Sequence, residues 1–182
     1  MPAEKKPQRD EQFVGWLERL ARAREGAEMT QGEESRARAA LATLKRGLGR
    51  PPGTALEMYR YVGPYISPKD PQWIINCYLL VAALFAHHPL PGGKGSMGSV
   101  MAEVKSRMDS ESVEKRFLAL LNAHHDDLPR HLRHAVSLAN SKEVPVNWRQ
   151  LLKDIKNWNN YHRFVQKQWA RDFWSWKNEP AG

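Results

Sequence analysis

The 182-residue chain has a single cysteine, Cys77, set inside the apolar run WIINCYLLVAALFA. An intramolecular disulfide is therefore excluded, which fits a reducing compartment and makes Cys77 a small core residue. Long apolar runs are scarce as well. The longest, Trp73 to Ala86, has 14 residues, short of the roughly 20 that a membrane-spanning helix needs. The opening MPAEKKPQRDEQ lacks the apolar stretch of a secretory signal. A cytoplasmic protein with no membrane partner is expected, its residues 1–9 forming a disordered tail. No alternation of apolar and polar residues reaches strand length, so the class is all-α.

Catalytic patterns are equally thin. The stretch GGKGS places its lysine before the last glycine, with no strand ahead of it, so it is a flexible basic loop and not a phosphate-cradling Walker motif. Cys77 has no base near it in sequence, and an apolar helix disfavours the thiolate. His124, His125, Asp126 and Asp127, with His131 and His134 beyond, straddle the helix break at Pro129. They lack the fixed ligand spacing of a closed zinc site, and polar residues closing one helix and opening the next account for them. No paired carboxylates stand in a cleft motif. The expectation is a protein that is not an enzyme, with no metal, cofactor or small-molecule substrate.

What is present is helical periodicity, enough for about eight helices in two small packed lobes. The first runs from about Asp10 to Arg24 with Phe13, Trp16, Leu17 and Leu20 inward. The second is capped at Thr30 or Ser35, carries Ala37, Leu41, Leu44 and Leu48, and stops at Gly49. A short third, TALEMYRYV, precedes the all-apolar fourth, the expected centre of an N-terminal lobe over 10–88. Glycine and proline in HHPLPGGKGS mark a linker over 89–95. The C-terminal lobe, 96–178, then holds a helix from Ser96 to about Met108, one in SESVEKRFLALLNAHH, one from Leu128 to Asn140, and a long last helix capped by Asn147. In that last helix Trp148, Ile155, His162, Trp169 and Trp176 repeat every seven residues, which predicts one continuous packed seam with His162 in it.

The net charge is +8, and it is spread evenly: residues 1–100 and 101–182 each hold 14 Lys/Arg against 10 Asp/Glu. Such a field attracts polyanions, although solubility alone is a second explanation. Basic clusters recur on helices. The second helix offers Arg36, Arg38, Lys45 and Arg46; the middle of the chain adds Lys105, Arg107, Lys115, Arg116, Arg130 and Arg133. A helical projection sets Lys153, Lys156, Arg163, Lys167 and Arg171 opposite the apolar seam, with Asp154 on the rim and Trp174 beside the cations. Several convergent cations suffice for contact with a nucleic-acid backbone, without any motif.

The ordered landmarks resemble a known family. FVGWLERL, RAALATLKRGLG, ALFAHHP, GSMGSVM, SVEKRFLALLNAHHDDLPRHLRHAVSLA and VNWRQLLKDIKNWN through VQKQWARDFW occur in sequence over residues 13–176. In order and spacing they are similar to the CasB family, the small subunit of the type I-E CRISPR surveillance complex Cascade. The resemblance implies a non-catalytic, two-lobed helical subunit working in antiviral defence. Its implied partners are a second copy of itself, the backbone and large subunits, the guide RNA and target DNA, especially the displaced non-target strand of the R-loop. Lys45 and Arg46 match the family's basic pair in the second helix, Arg116 the arginine before the phenylalanine of the sixth, and Arg133 a basic position of the seventh. Asn122, His125 and His134 stand where some members have arginine. The alternative is a helical adaptor that docks a protein through its aromatic stripe and makes no nucleic-acid contact.

Overall fold

A computed structural model describes residues 8–26 and 29–175. The described residues form nine α-helices and no strand, in two compact units, Met1–Pro89 and Leu90–Gly182.

In the N-terminal unit, α1 (Arg9–Arg24) begins as soon as Glu11 can accept the Gln8 N–H at 3.3 Å. Acidic residues in its first turn and arginines in its last complement the helix dipole. The helix thus opens at Arg9, within the stretch expected to be tail. Thr30 caps α2 (Gln31–Lys45): its Oγ1 accepts the Glu33 N–H at 3.3 Å, and Glu33 returns the contact at 2.9 Å, a reciprocal capping box. The expected third helix is a 3-10 turn, Leu56–Met58, followed by a single α-turn, α3 (Tyr59–Val62). Helix α4 (Gln72–His87) starts after Pro71, where the lost N–H costs nothing. Tyr78, Val81, Ala82, Leu84 and Phe85 on α4 are fully enclosed. The Phe13 ring meets that of Tyr78 edge-on at 5.0 Å. Cys77 is buried, its thiol donating to the Trp73 carbonyl at 3.1 Å.

The C-terminal unit contains α5 (Met97–Met108), α6 (Glu111–Leu121), α7 (Leu128–Ser141), α8 (Trp148–Lys156) and α9 (Phe164–Ser175). Ser96 caps α5, Ser110 caps α6 and Asn147 caps α8, each accepting a first-turn N–H. Ser96 also donates to Asp172 on α9 at 2.6 Å. Helices α5 and α9 cross at Gly98, where a β-carbon would lie 2.0 Å from the Trp169 carbonyl oxygen. Only glycine admits that approach.

The single last helix is corrected by the structure. The chain turns between Asn157 and Arg163, and α8 and α9 are separate. The cause is local competition for backbone hydrogen bonds. Asn157 donates to the Lys153 carbonyl at 2.8 Å, and Asn160 accepts the His162 N–H at 3.0 Å, so asparagine side chains occupy groups that a continuing helix needs. Three bonds between residues farther apart in sequence hold the turn: Gln166 to the Trp158 carbonyl at 2.8 Å, the Trp158 indole to the Ala123 carbonyl at 3.0 Å, and Arg163 to the Leu121 carbonyl at 2.7 Å. His162 is consequently exposed and not in a seam. Trp148 and Ile155 pack from α8 and Trp169 from α9, so the seven-residue repeat survives as buried positions of two helices. Trp176 lies outside the described residues.

The two helices are joined through one carboxylate. Asp154, 7% exposed, accepts the Trp169 indole N–H at 2.7 Å and the Gln150 amide at 2.8 Å. Expected on the rim of the basic face, it points inward instead.

Candidate nucleic-acid interface

The inward positions of α2, namely Ala37, Ala40, Leu41 and Leu44, turn the residues between them outward. Arg36, Arg38, Lys45 and Arg46 are all exposed. They differ in what already meets their charge. Arg38 is bridged to Glu34 one turn back. Arg36 stands near Glu33, whose carboxyl is held below the usual range first by the Thr30 backbone N–H. Lys45 and Arg46 have no ion-pair partner among the described residues.

The C-terminal unit sorts its cations in the same way. Lys105 on α5 bridges to Glu114 on α6, and that bond lowers the Glu114 pKa. Arg107 pairs with Glu103 and donates to the Lys142 carbonyl at 2.6 Å. Arg130 lies 3.8 Å from Asp127. Arg116 and Arg133 are exposed and carry no ion pair among the described residues. Arg116 also borders a cavity of about 130 Å³ that includes His131 and His134 of α7. Burial, then the nearby Arg130, pushes the His131 pKa down, so at neutral pH that side of the cavity offers a neutral imidazole beside a guanidinium.

The stripe expected along the last helix is divided by the turn. Arg163 sits just before α9 with φ 51°, its carbonyl accepting the Lys167 N–H at 3.0 Å while its guanidinium holds the end of α6. Lys167 and Arg171 remain exposed on α9. With Lys153 of α8 they line a groove of about 290 Å³, and Phe164 is at its edge. Phe164 escaped sequence reasoning because its orientation depends on where α9 begins; the run of asparagines before it was the available signal. Trp174 does not join the cations: it packs against Phe173 at 5.0 Å and Phe117 at 6.0 Å. His124, His125 and Asp126 lie together on the exposed turn after α6, one ligand atom from each within 4.8 Å of the others.

Residues 40–174 match the family model of the CRISPR-associated protein Cse2. A CRISPR-associated protein Cse2 of Thermus thermophilus is 36% identical over 167 residues, covering 90% of this chain and 89% of that protein. The crystal structure of CasB from Thermus thermophilus superimposes with a TM-score of 0.74 at 33% identity, over 91% of this chain and 97% of CasB. A chain of a CRISPR RNA-guided surveillance complex has the same fold, with a TM-score of 0.71 at 22% identity, over 94% of this chain and 98% of that one.

Proposed function

The chain belongs to the Cse2 family of CRISPR-associated proteins, and from that premise we propose that it is the non-catalytic small subunit of a type I-E Cascade complex, holding target DNA by its phosphates. The observation that carries this reading is the sorting of the cations. Lys45, Arg46, Arg116 and Arg133, the positions that match the family's basic residues, are exposed and without ion pairs among the described residues, whereas Arg38, Arg107 and Lys105 are bridged. An unpaired, solvated cation meets a phosphate without first giving up a carboxylate, and its binding releases counterions from the strand.

The displaced non-target strand suits such contacts. Strand exchange in an R-loop is nearly balanced in energy, so capture of the freed strand tips it toward opening, while the guide reads the sequence. Backbone and large subunits, the guide RNA and a second copy of this chain complete the proposed assembly, whose defence role is antiviral. The likeness to a chain of an RNA-guided surveillance complex supports assembly of this kind.

The test is charge reversal at Lys45, Arg46, Arg116 and Arg133 in the assembled complex. R-loop locking is expected to weaken with guide binding intact; target affinity unchanged across the four would falsify the DNA-holding role. Single-stranded DNA binding by the chain alone, followed by anisotropy at two salt concentrations, separates this reading from a purely structural adaptor, which would show no salt-sensitive binding.

A further inference from the structure

We propose that the groove between α8 and α9 is a subsite for one unpaired nucleotide of single-stranded DNA, with its base stacked on Phe164 and its phosphate held by Lys153, Lys167 and Arg171. This assignment rests on the DNA-holding reading and adds a location and a mode of contact to it.

Two helix faces form the groove. On α9, Phe164, Lys167, Gln168 and Arg171 recur at the three- and four-residue spacing of one face, and Gln150 and Lys153 of α8 do the same with Asn157, the residue that closes α8. At about 290 Å³ the space sits at the small end of ligand pockets, the scale of a single nucleotide and not of an extended ligand. Three cations line it against one acid. That acid, Asp154, has its two oxygens engaged by Trp169 and Gln150, so its charge is met within the protein. Lys167 has no ion pair among the described residues, and Arg171 has only a 3.4 Å contact to Gln168.

Phe164 distinguishes the groove from an ordinary basic surface. It is 48% exposed, whereas Trp169 and Phe173 of the same helix are buried and the half-exposed Trp174 packs against Phe117 and Phe173. A lone exposed ring is unremarkable. A ring sharing one concave site with three cations has the composition of a platform for unpaired nucleotides, where stacking and phosphate contact act together. An acidic protein segment would use the cations and leave the ring idle.

Base dependence therefore tests the assignment. Anisotropy of the full chain is measured with an oligothymidylate and with a strand of equal length whose residues are abasic, which keeps every phosphate and removes every base. Wild type is expected to prefer the base-bearing strand by about 5- to 150-fold, the range for stacking of one base. Phe164→Ala is expected to abolish that preference and leave abasic binding unchanged; Phe164→Tyr retains it. Lys167→Ala is expected to weaken both strands alike and flatten the salt dependence. Thermal unfolding of Phe164→Ala near that of wild type excludes a folding cause. Equal binding of the two strands by wild type, or a preference that survives Phe164→Ala, overturns the subsite while leaving DNA holding intact. Wild type without salt-sensitive binding to either strand overturns both.

Discussion

The two units reach stability by different means. The N-terminal unit is organised around α4, whose buried residues point in every direction, and its polar bonds sit at the margin, where Arg9 reaches the Tyr78 hydroxyl at 3.0 Å and Asp70 at 2.7 Å. The C-terminal unit places polar constraints at its centre: the Gly98 crossing and the Asp154 carboxylate between α8 and α9. Apolar burial is non-directional and tolerates adjustment. A close backbone approach and a buried carboxylate do not, so substitutions are expected to be harsher in the second unit.

Gly98→Ala is the severest case. With a β-carbon 2.0 Å from a backbone oxygen, α9 must shift, at a cost of about 3 kcal/mol or more in denaturant unfolding. Gly15→Ala, in the middle of α1 with its nearest neighbour the Arg19 guanidinium at 3.6 Å, is expected to stabilise by roughly 0.5–1 kcal/mol through helix propensity. Equal effects would break the comparison.

Trp169→Phe comes next. It keeps most of the ring but deprives the buried Asp154 of a donor, for about 2–3 kcal/mol. Tyr78→Phe, in the first unit, keeps the enclosed ring and removes a hydroxyl bonded to the more exposed Arg9 and Asp10, and is expected to cost about 1 kcal/mol. The Trp169→Phe penalty should shrink when Asp154→Asn is already present, a coupling that a double-mutant cycle measures.

Smaller effects separate the cations. Arg116→Gln and Arg133→Gln are each expected to lower single-stranded DNA affinity and to reduce the salt slope by roughly 0.7. Arg38→Gln and Arg107→Gln, whose charges Glu34 and Glu103 already meet, are expected to change it less. A slope that falls equally for all four would show that bridging does not decide availability.

The smallest effect depends on pH. Burial pushes the Asp154 pKa up, against the pull of the Trp169 and Gln150 hydrogen bonds. The native chain then holds that proton more tightly than the unfolded one, and wild-type stability falls as pH rises from the ordinary carboxylate pKa through the raised native value. Asp154→Asn removes this slope, so wild type is expected to lose stability relative to the variant as pH rises through the raised native value, as thermal unfolding in a pH series would record.

Much of this was legible in the residues themselves. Periodicity marked the helices, and Thr30, Ser96 and Asn147 marked their starts, because capping is a contact between neighbours in sequence. The even spread of basic residues marked the charged faces. The last two helices were misread because Trp148, Ile155 and Trp169 keep the same spacing whether one helix or two carries them, while the turn is held by bonds to Ala123 and Leu121, some 35 to 42 residues away.

By itself the sequence determined that the protein is all-α, where Ser96 and Asn147 start helices, most of the apolar positions that face inward, and that the chain is basic, since each of these depends on residues within a few positions of one another. Tertiary structure alone decided that α8 and α9 are separate, that Asp154 is a buried clamp while Arg163 holds a turn, and that Phe164 meets Lys153, Lys167 and Arg171 in one groove. Those outcomes depend on hydrogen bonds and close approaches between distant segments, which one-dimensional periodicity does not encode.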